Sequence, residues 1–308
     1  MAVGWVIDHP AHARLLAPLM RELSGTDDVI VACERQEVRA MIENCDGHLP
    51  RRRTVWVPRP VGKGRWRKAW RRSRISKRAL KDVQQVVSIG AAIETMVAPR
   101  KSRRIYITDT EINHTAHRIA KPTDIVVPTH FIDSLSGPLL KKRAKIHRID
   151  GLHGHIHLRP QLRPKQVSDP PKVLVRRLKG GGIHDEDELL SIPEKWLDGF
   201  DLTYADENEF AGNPWELDRR IAGMDGVITQ SVTLASEAVL LGVPTLLVSR
   251  AKRGFINRLA DDGYPLFVAG VHDDEIHTQW MTGIHLTDAL QTPEWPDTKQ
   301  ELLEILSN

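Results

Sequence analysis

What this 308-residue chain has little of narrows the field first. It carries two cysteines, Cys33 and Cys45, which excludes a disulfide-stapled scaffold and points to a reducing compartment. No run approaches the roughly 18 to 20 consecutive apolar residues that a bilayer-spanning helix needs. The opening "MAVGWVIDHP" lacks the layout of a secretory signal peptide and reads as the start of a strand. With 41% hydrophobic and 27% charged residues the composition is that of an ordinary soluble domain pair, expected in the cytoplasm. Acidic residues are missing altogether from one segment. Residues 51–81, "RRRTVWVPRPVGKGRWRKAWRRSRISKRALK", hold 14 Lys or Arg and no Asp or Glu, leaving 30 basic against 40 acidic residues elsewhere. The net charge of +4 therefore belongs to one segment and not to the surface in general.

Short apolar runs alternate with helical patterns along the whole chain. "VGWVI", "VIVAC", "QVVSIG", "RIYIT" and "DIVVP" read as strands of a parallel sheet covered on both faces, with "ARLLAPLMREL" and "RQEVRAMIE" as helices between them. The proline-rich stretch "LRPQLRPKQVSDPPK" reads as a linker. After it the alternation resumes with "KVLVRRL", "DLTYA", "GVITQ", "PTLLVS" and "PLFVA", and an acidic tail ends in the helix "DTKQELLEILS". The expected architecture is α/β, with two doubly wound Rossmann-like domains, 1–160 and 161–308, facing a central cleft and the last helix able to return to the first domain. In such folds ligands collect beyond the carboxyl ends of the strands, so the polar residues just after each strand are the ones to weigh.

The most telling of these follow "GVIT". "SVTLASEAVLLG" has a helix pattern closed by Gly242, with Ser231 at the N-cap position and Thr233 in the first turn. A helix start offers amide donors and partial positive charge, which suits a phosphate. Glu237 lies inside the most apolar part of that helix, where a carboxylate can accept two ribose hydroxyls. The competing reading is a capped core helix whose Glu237 faces solvent.

"SVTLASEAVLLGVPTLLV" resembles the nucleotide-binding segment of the GT-B superfamily, UDP-N-acetylglucosamine 2-epimerase in particular. Ser231, Glu237, Ala238, Gly242 and Pro244 fall on that pattern, and Val232 and Thr233 stand where it has two glycines. Taken in order, "IDHPAH", "SIG", "DTE", "GLH", an arginine with "HD" behind it, and this helix resemble a prokaryotic family related to that epimerase, over nearly the whole chain. The resemblance implies a GT-B fold and a nucleotide-sugar ligand.

Four further clusters follow strands. Asp8, His9 and His12 line the first loop, where an imidazole would act as base or orient a sugar; a capping Asp8 with surface histidines is the alternative. Asp109 and Glu111, two apart in extended backbone, would face the same side and do acid–base work, unless they merely cap the next helix. The resemblance makes Glu111 the counterpart of the epimerases' catalytic glutamate, while the aspartate those carry after the preceding strand has no counterpart in "SIGAA". Arg176 and the loop Gly180, Gly181, Gly182 and His184 would wrap a phosphate, or form a plain surface loop. His153, His155 and His157 alternate and, on a strand, would align three imidazoles, although nothing nearby completes a metal site; no metal is expected, and no cofactor beyond the nucleotide-diphosphate sugar as substrate.

In the basic segment "GRWRKAWRRSRISKRALK" can be helical, with Trp66, Ala69, Trp70, Ser73 and Leu80 on one stripe. Tryptophan among cations suits an anionic membrane surface or a lipid-linked acceptor. It also suits nucleic-acid phosphates, the less favoured partner, and a solvated helix with both tryptophans packed inward is the plain alternative. The resemblance implies a GT-B type glycosyltransferase-like enzyme using a nucleotide sugar such as a UDP sugar. Alternatives are a UDP-sugar 2-epimerase-like isomerase and a nucleic-acid-binding protein on a GT-B scaffold.

Overall fold

Strands covered on both faces must be apolar throughout, and every residue of Val3–Ile7 (β1) and Val29–Cys33 (β2) is buried. A computed structural model of the chain describes residues 1–151, 153–159, 166–178, 190–205, 213–286 and 294–308. In chain order it continues with α1 (Pro10–Leu23), α2 (Gln36–Glu43), β3 (Arg53–Val57), α3 (Arg65–Ala79), β4 (Gln85–Ile89), α4 (Ala92–Val97), β5 (Arg103–Ile107) and α5 (His114–Ile119). Then come β6 (Asp124–Pro128), β7 (Lys145–Ile149), α6 (His153–His157), β8 (Lys172–Arg176), β9 (Asp201–Tyr204), α7 (Leu217–Ala222), β10 (Gly226–Thr229) and α8 (Val232–Leu240). The chain closes with β11 (Thr245–Val248), α9 (Gly254–Asp261), β12 (Leu266–Ala269), α10 (Asp274–His285) and α11 (Thr298–Ser307).

Two units result. Unit 1 comprises Met1–His157, Asn213–Trp215 and Pro296–Asn308, and unit 2 comprises Leu158–Gly212 and Glu216–Trp295. Both sheets are wholly parallel in their described pairings. Unit 1 has the strand order β3-β2-β1-β4-β5-β6-β7, and unit 2 has β12-β11-β10-β8-β9. Each order reverses direction once, between β1 and β4 in unit 1 and between β8 and β10 in unit 2. At such a reversal the two following loops diverge to opposite faces and leave a crevice at the carboxyl ends of the strands.

Within unit 1 the two strands without a clear apolar pattern are β3 and β7, and both are edges of its sheet. An edge strand is paired on one side only, so "RTVWV" and "KIHRI" keep charged residues that an interior strand would have to exclude. The core of unit 1 lies on both sheet faces, with Trp5, Leu16 and Met20 in one cluster and Val31, Leu80 and Val86 in the other. Leu302, Leu303 and Leu306 of α11 join the first cluster, and the helix's last carbonyls are taken up by donors from the sheet. Arg103 Nη1 donates to Ile305 O at 2.6 Å and Gln85 Nε2 to Leu306 O at 3.1 Å, satisfying acceptors a helix end otherwise leaves open. Unit 2 packs Trp196, Trp280 and Ile228 around its own sheet. Gly226 belongs there because a Cβ would meet Trp280 at 2.8 Å and Ile284 at 2.9 Å.

The histidines of "HGHIH" are helical in α6, not extended. Alternate residues of a helix point in different directions, so the three imidazoles do not share a face. His155 is buried, and His157 Nδ1 meets the His153 carbonyl one turn back at 3.2 Å. Among the described residues no helix is long and apolar enough to cross a membrane.

Candidate functional site

At the unit 1 reversal the residue after β1 is Asp8, and α3 and α4 supply its partners. The inward face of α3 carries Arg72, Ser76 and Ala79. Arg72 is 2% exposed and Glu94, on α4, 0%. The guanidinium grips both Glu94 oxygens, Nε to Oε1 and Nη2 to Oε2, each at 2.8 Å, and Nη2 also donates to Asp8 Oδ1 at 2.7 Å. Ser76 Oγ completes the set by donating to Glu94 Oε1 at 2.7 Å. Burial alone would disfavour the cation, but the Asp8 and Glu94 carboxylates outweigh it and hold Arg72 charged well above its ordinary range. This network was not anticipated. Its signal was present, since Glu94 sits in the apolar helix "AAIETMV" just as Glu237 sits in its own.

The first loop divides its histidines between two jobs. His9 is the N-cap of α1, its Nδ1 accepting from Ala11 N at 3.3 Å. Asp8 does not cap that helix; its backbone N–H donates to His12 Nδ1 at 3.3 Å, so the ring proton of His12 sits on Nε2. Desolvation is the largest influence on His12 and lowers it to about 4, Asp8 pulling the other way and His153 adding to the fall. A neutral imidazole with its Nδ1 engaged donates a hydrogen bond; it is not a base at neutral pH. Cys33, at the end of β2, is no nucleophile either, because burial first and Asp8 second push its thiol up to about 11.

Across the reversal and two strands on, Asp109 Oδ2 lies 3.0 Å from His153 Nδ1. Burial pushes Asp109 upward, but the charge and hydrogen bond of His153, with help from Thr110, hold it at about 2. Asp109 thus stays ionised and fixes the ring so that Nε2 of His153 is the atom left to take a proton. Glu111 does not pair with it. The chain turns at 111–112, and Glu111, 1% exposed, accepts from Ile132 N at 3.2 Å on the far side of the loop. Nor does an acid cap the next helix, since Asn113 Oδ1 accepts from Ala116 N at 3.4 Å.

The unit 2 reversal is built differently. Ser231 is the N-cap of α8, its Oγ accepting from Leu234 N at 3.3 Å while its own N–H donates to Thr229 Oγ1 at 2.9 Å. Among the described residues the amides of Val232 and Thr233 have no acceptor, and Thr233 is exposed. The helix ends on Gly242 in the left-handed region at φ 80°, with Gly242 N to Val239 O and Val243 N to Ala238 O both at 3.0 Å. Glu237 does not face solvent; it is 3% exposed, with a carboxylate oxygen within 4.8 Å of one from Asp218 on α7. Arg176 ends β8 beside Thr229. Gln230, which the sequence did not single out, ties the neighbouring loop: its Oε1 accepts from Leu178 N at 2.6 Å and its Nε2 donates to Leu190 O. Gly180, Gly181, Gly182 and His184 lie outside the described residues.

No family model matches this sequence, and no curated protein matches it. Solved structures do match. MnaA from S. aureus, solved with UDP, has a TM-score of 0.66 at 10% identity, with 100% of this chain and 95% of that one covered. The UDP-GlcNAc 2-epimerase of Methanocaldococcus jannaschii, in complex with UDP-GlcNAc and UDP, has a TM-score of 0.64 at 12% identity, with 100% and 99% covered. MurG of Acinetobacter baumannii has a TM-score of 0.51 at 10% identity, with 100% and 99% covered. The fold is of the GT-B type, with one Rossmann-like domain in each unit.

Proposed function

We propose that the protein is a GT-B type glycosyltransferase-like enzyme acting on a nucleotide-diphosphate sugar. What carries this reading is that both sets of candidate residues follow the strands at which their own sheet reverses, Asp8 and His12 in unit 1 and Arg176, Ser231, Thr233 and Glu237 in unit 2. In unit 2 the first-turn amides of α8 and the Arg176 guanidinium hold the diphosphate, and Glu237 with Asp218 accepts the ribose hydroxyls. In unit 1 His153 Nε2 takes the proton from an acceptor hydroxyl as the sugar–phosphate bond breaks. Asp109 steadies the imidazolium that forms, and His12 Nε2–H orients the sugar. The charge that develops on the departing diphosphate is met by the helix start and Arg176, chemistry that draws on no metal. The nucleotide-diphosphate sugar is a substrate, and no further cofactor enters.

Nucleotide-bound structures among the similar proteins support a nucleotide-sugar ligand. They also favour a second reading. The UDP-GlcNAc 2-epimerase of Methanocaldococcus jannaschii has a TM-score of 0.64, above the 0.51 of MurG. In a 2-epimerase the nucleotide is eliminated and added back, and no acceptor is consumed. A panel of UDP and GDP sugars tests both readings. Thermal stabilisation by at least one member, lost in Glu237→Ala, is expected; stabilisation by none of them overturns both. Product that forms only with an added acceptor identifies transfer, whereas a changed sugar without acceptor identifies epimerisation.

A further inference from the structure

The basic segment enters the chemistry above only through Arg72, which leaves most of its charge without a use. Helix α3 divides by face. Arg72, Ser76 and Ala79 are buried and Ile75 packs on the core behind them, whereas Trp66 and Trp70, one turn apart, are 76% and 61% exposed. No other two of the exposed large hydrophobic side chains among the described residues stand one helical turn apart. An arginine lies over one ring face of each indole, Arg74 at 4.8 Å from the centroid of Trp70 and Arg65 at 5.2 Å from that of Trp66. Beside them α3 and the edge strand β3 enclose an open groove of about 880 Å³, lined by Arg53, Arg71, Arg74, Lys77 and Arg78 together with Trp70.

We propose that this face docks the protein on an anionic phospholipid bilayer, with lipid phosphates in the groove and the two indoles at the level of the headgroups. Charge complementarity carries the choice. Residues 51–81 contain 14 cations and no acid, while the rest of the chain is net acidic, so a negative surface attracts this face and repels the others. Indoles favour the interfacial layer, where an apolar ring and a polar edge are both satisfied, and a cation on the ring keeps its own phosphate contacts there. A nucleic acid would satisfy the same cations. A base, however, is held by stacking on an indole face, and guanidinium already covers one face of each tryptophan. The docking proposed is at the bilayer surface, since among the described residues no helix is long and apolar enough to cross a membrane.

Flotation of the full chain with vesicles tests this independently of nucleotide-sugar binding, whose thermal stabilisation serves as the control for an intact fold. Vesicles of phosphatidylcholine with about a quarter phosphatidylglycerol are expected to carry the protein, pure phosphatidylcholine vesicles are not, and about 1 M salt is expected to release it. Trp66→Ser with Trp70→Ser, which keeps every charge, lowers partitioning about tenfold. Arg71→Gln with Arg74→Gln and Arg78→Gln lowers it about a hundredfold, at roughly fivefold per cation. The proposal is overturned if the wild-type chain ignores anionic vesicles, or if the serine variant floats like the wild type. It is equally overturned if a single-stranded RNA oligonucleotide, and not the vesicles, binds with that dependence on the tryptophans.

Discussion

The two sheet reversals are topologically alike and chemically opposite. Unit 1 surrounds its reversal with ionisable side chains, namely Asp8, His12, Arg72, Glu94, Asp109 and His153. Unit 2 offers a capped helix start, an arginine and a buried glutamate. The difference teaches that topology alone does not set the chemistry of a site. A parallel sheet places loops at the same end in both units, and the residue types there set what each end can do.

The largest test of that contrast is Arg72. Arg72→Leu leaves Glu94 buried without its cation, and chemical denaturation should show a loss of about 3–5 kcal/mol. Replacing Glu94 by Leu in the same chain should restore part of it, because removing both partners is far less costly than removing one. A loss confined to Arg72→Leu and below about 1 kcal/mol would refute a buried ionic network there. Next comes Asp109→Asn, which keeps the shape but cannot stabilise a protonated His153; turnover should fall on the order of a hundredfold while stabilisation by the nucleotide sugar persists. Equal loss of both would place Asp109 in ligand binding.

Acid titration follows in size. His12 is lowered to about 4 from 6.5, so the unfolded chain binds a proton between those values and the native state does not. Stability should therefore drop by on the order of 2 kcal/mol as the pH falls from 6.5 to 4. Asp109, lowered to about 2 from 3.8, adds a second decline between those values. His12→Gln should flatten the first decline and leave the second, as read by thermal midpoints across that range. The smallest effect is expected at the other reversal. Ser231→Ala removes the cap of α8 and should cost about 1 kcal/mol, while Ser231→Asp, which keeps a cap but adds charge where a diphosphate would sit, should hold stability and weaken nucleotide-sugar binding. Unchanged binding in the aspartate variant would separate the helix start from the ligand.

Most of the fold was legible because interior parallel strands leave a strong mark. Val3–Ile7 and Val29–Cys33 can be nothing but apolar when helices cover both faces. The edge strands β3 and β7 left no such mark, and "HGHIH" was misread because its short period-two pattern does not distinguish a strand from a single helical turn. Around the candidate sites, Ser231 as a cap was visible from local chemistry alone. The partners of Asp8 were not: Arg72 lies 64 residues away and Glu94 joins it through a different helix. Trp66 and Trp70 could be placed on one stripe, but not assigned to solvent, since the same periodicity serves a face turned either way.

By itself, then, the sequence determined the alternation of strand and helix, the helix boundaries marked by Ser231 and Gly242, and the confinement of positive charge to one segment. These are local or additive properties, set by neighbours in the chain. Only the tertiary structure decided that Asp109 pairs with His153 while Glu111 turns away, that α3 buries an arginine and exposes its tryptophans, and that His12 stays neutral. Those outcomes depend on distances and on exclusion of water between residues far apart in the chain, and no local pattern encodes them.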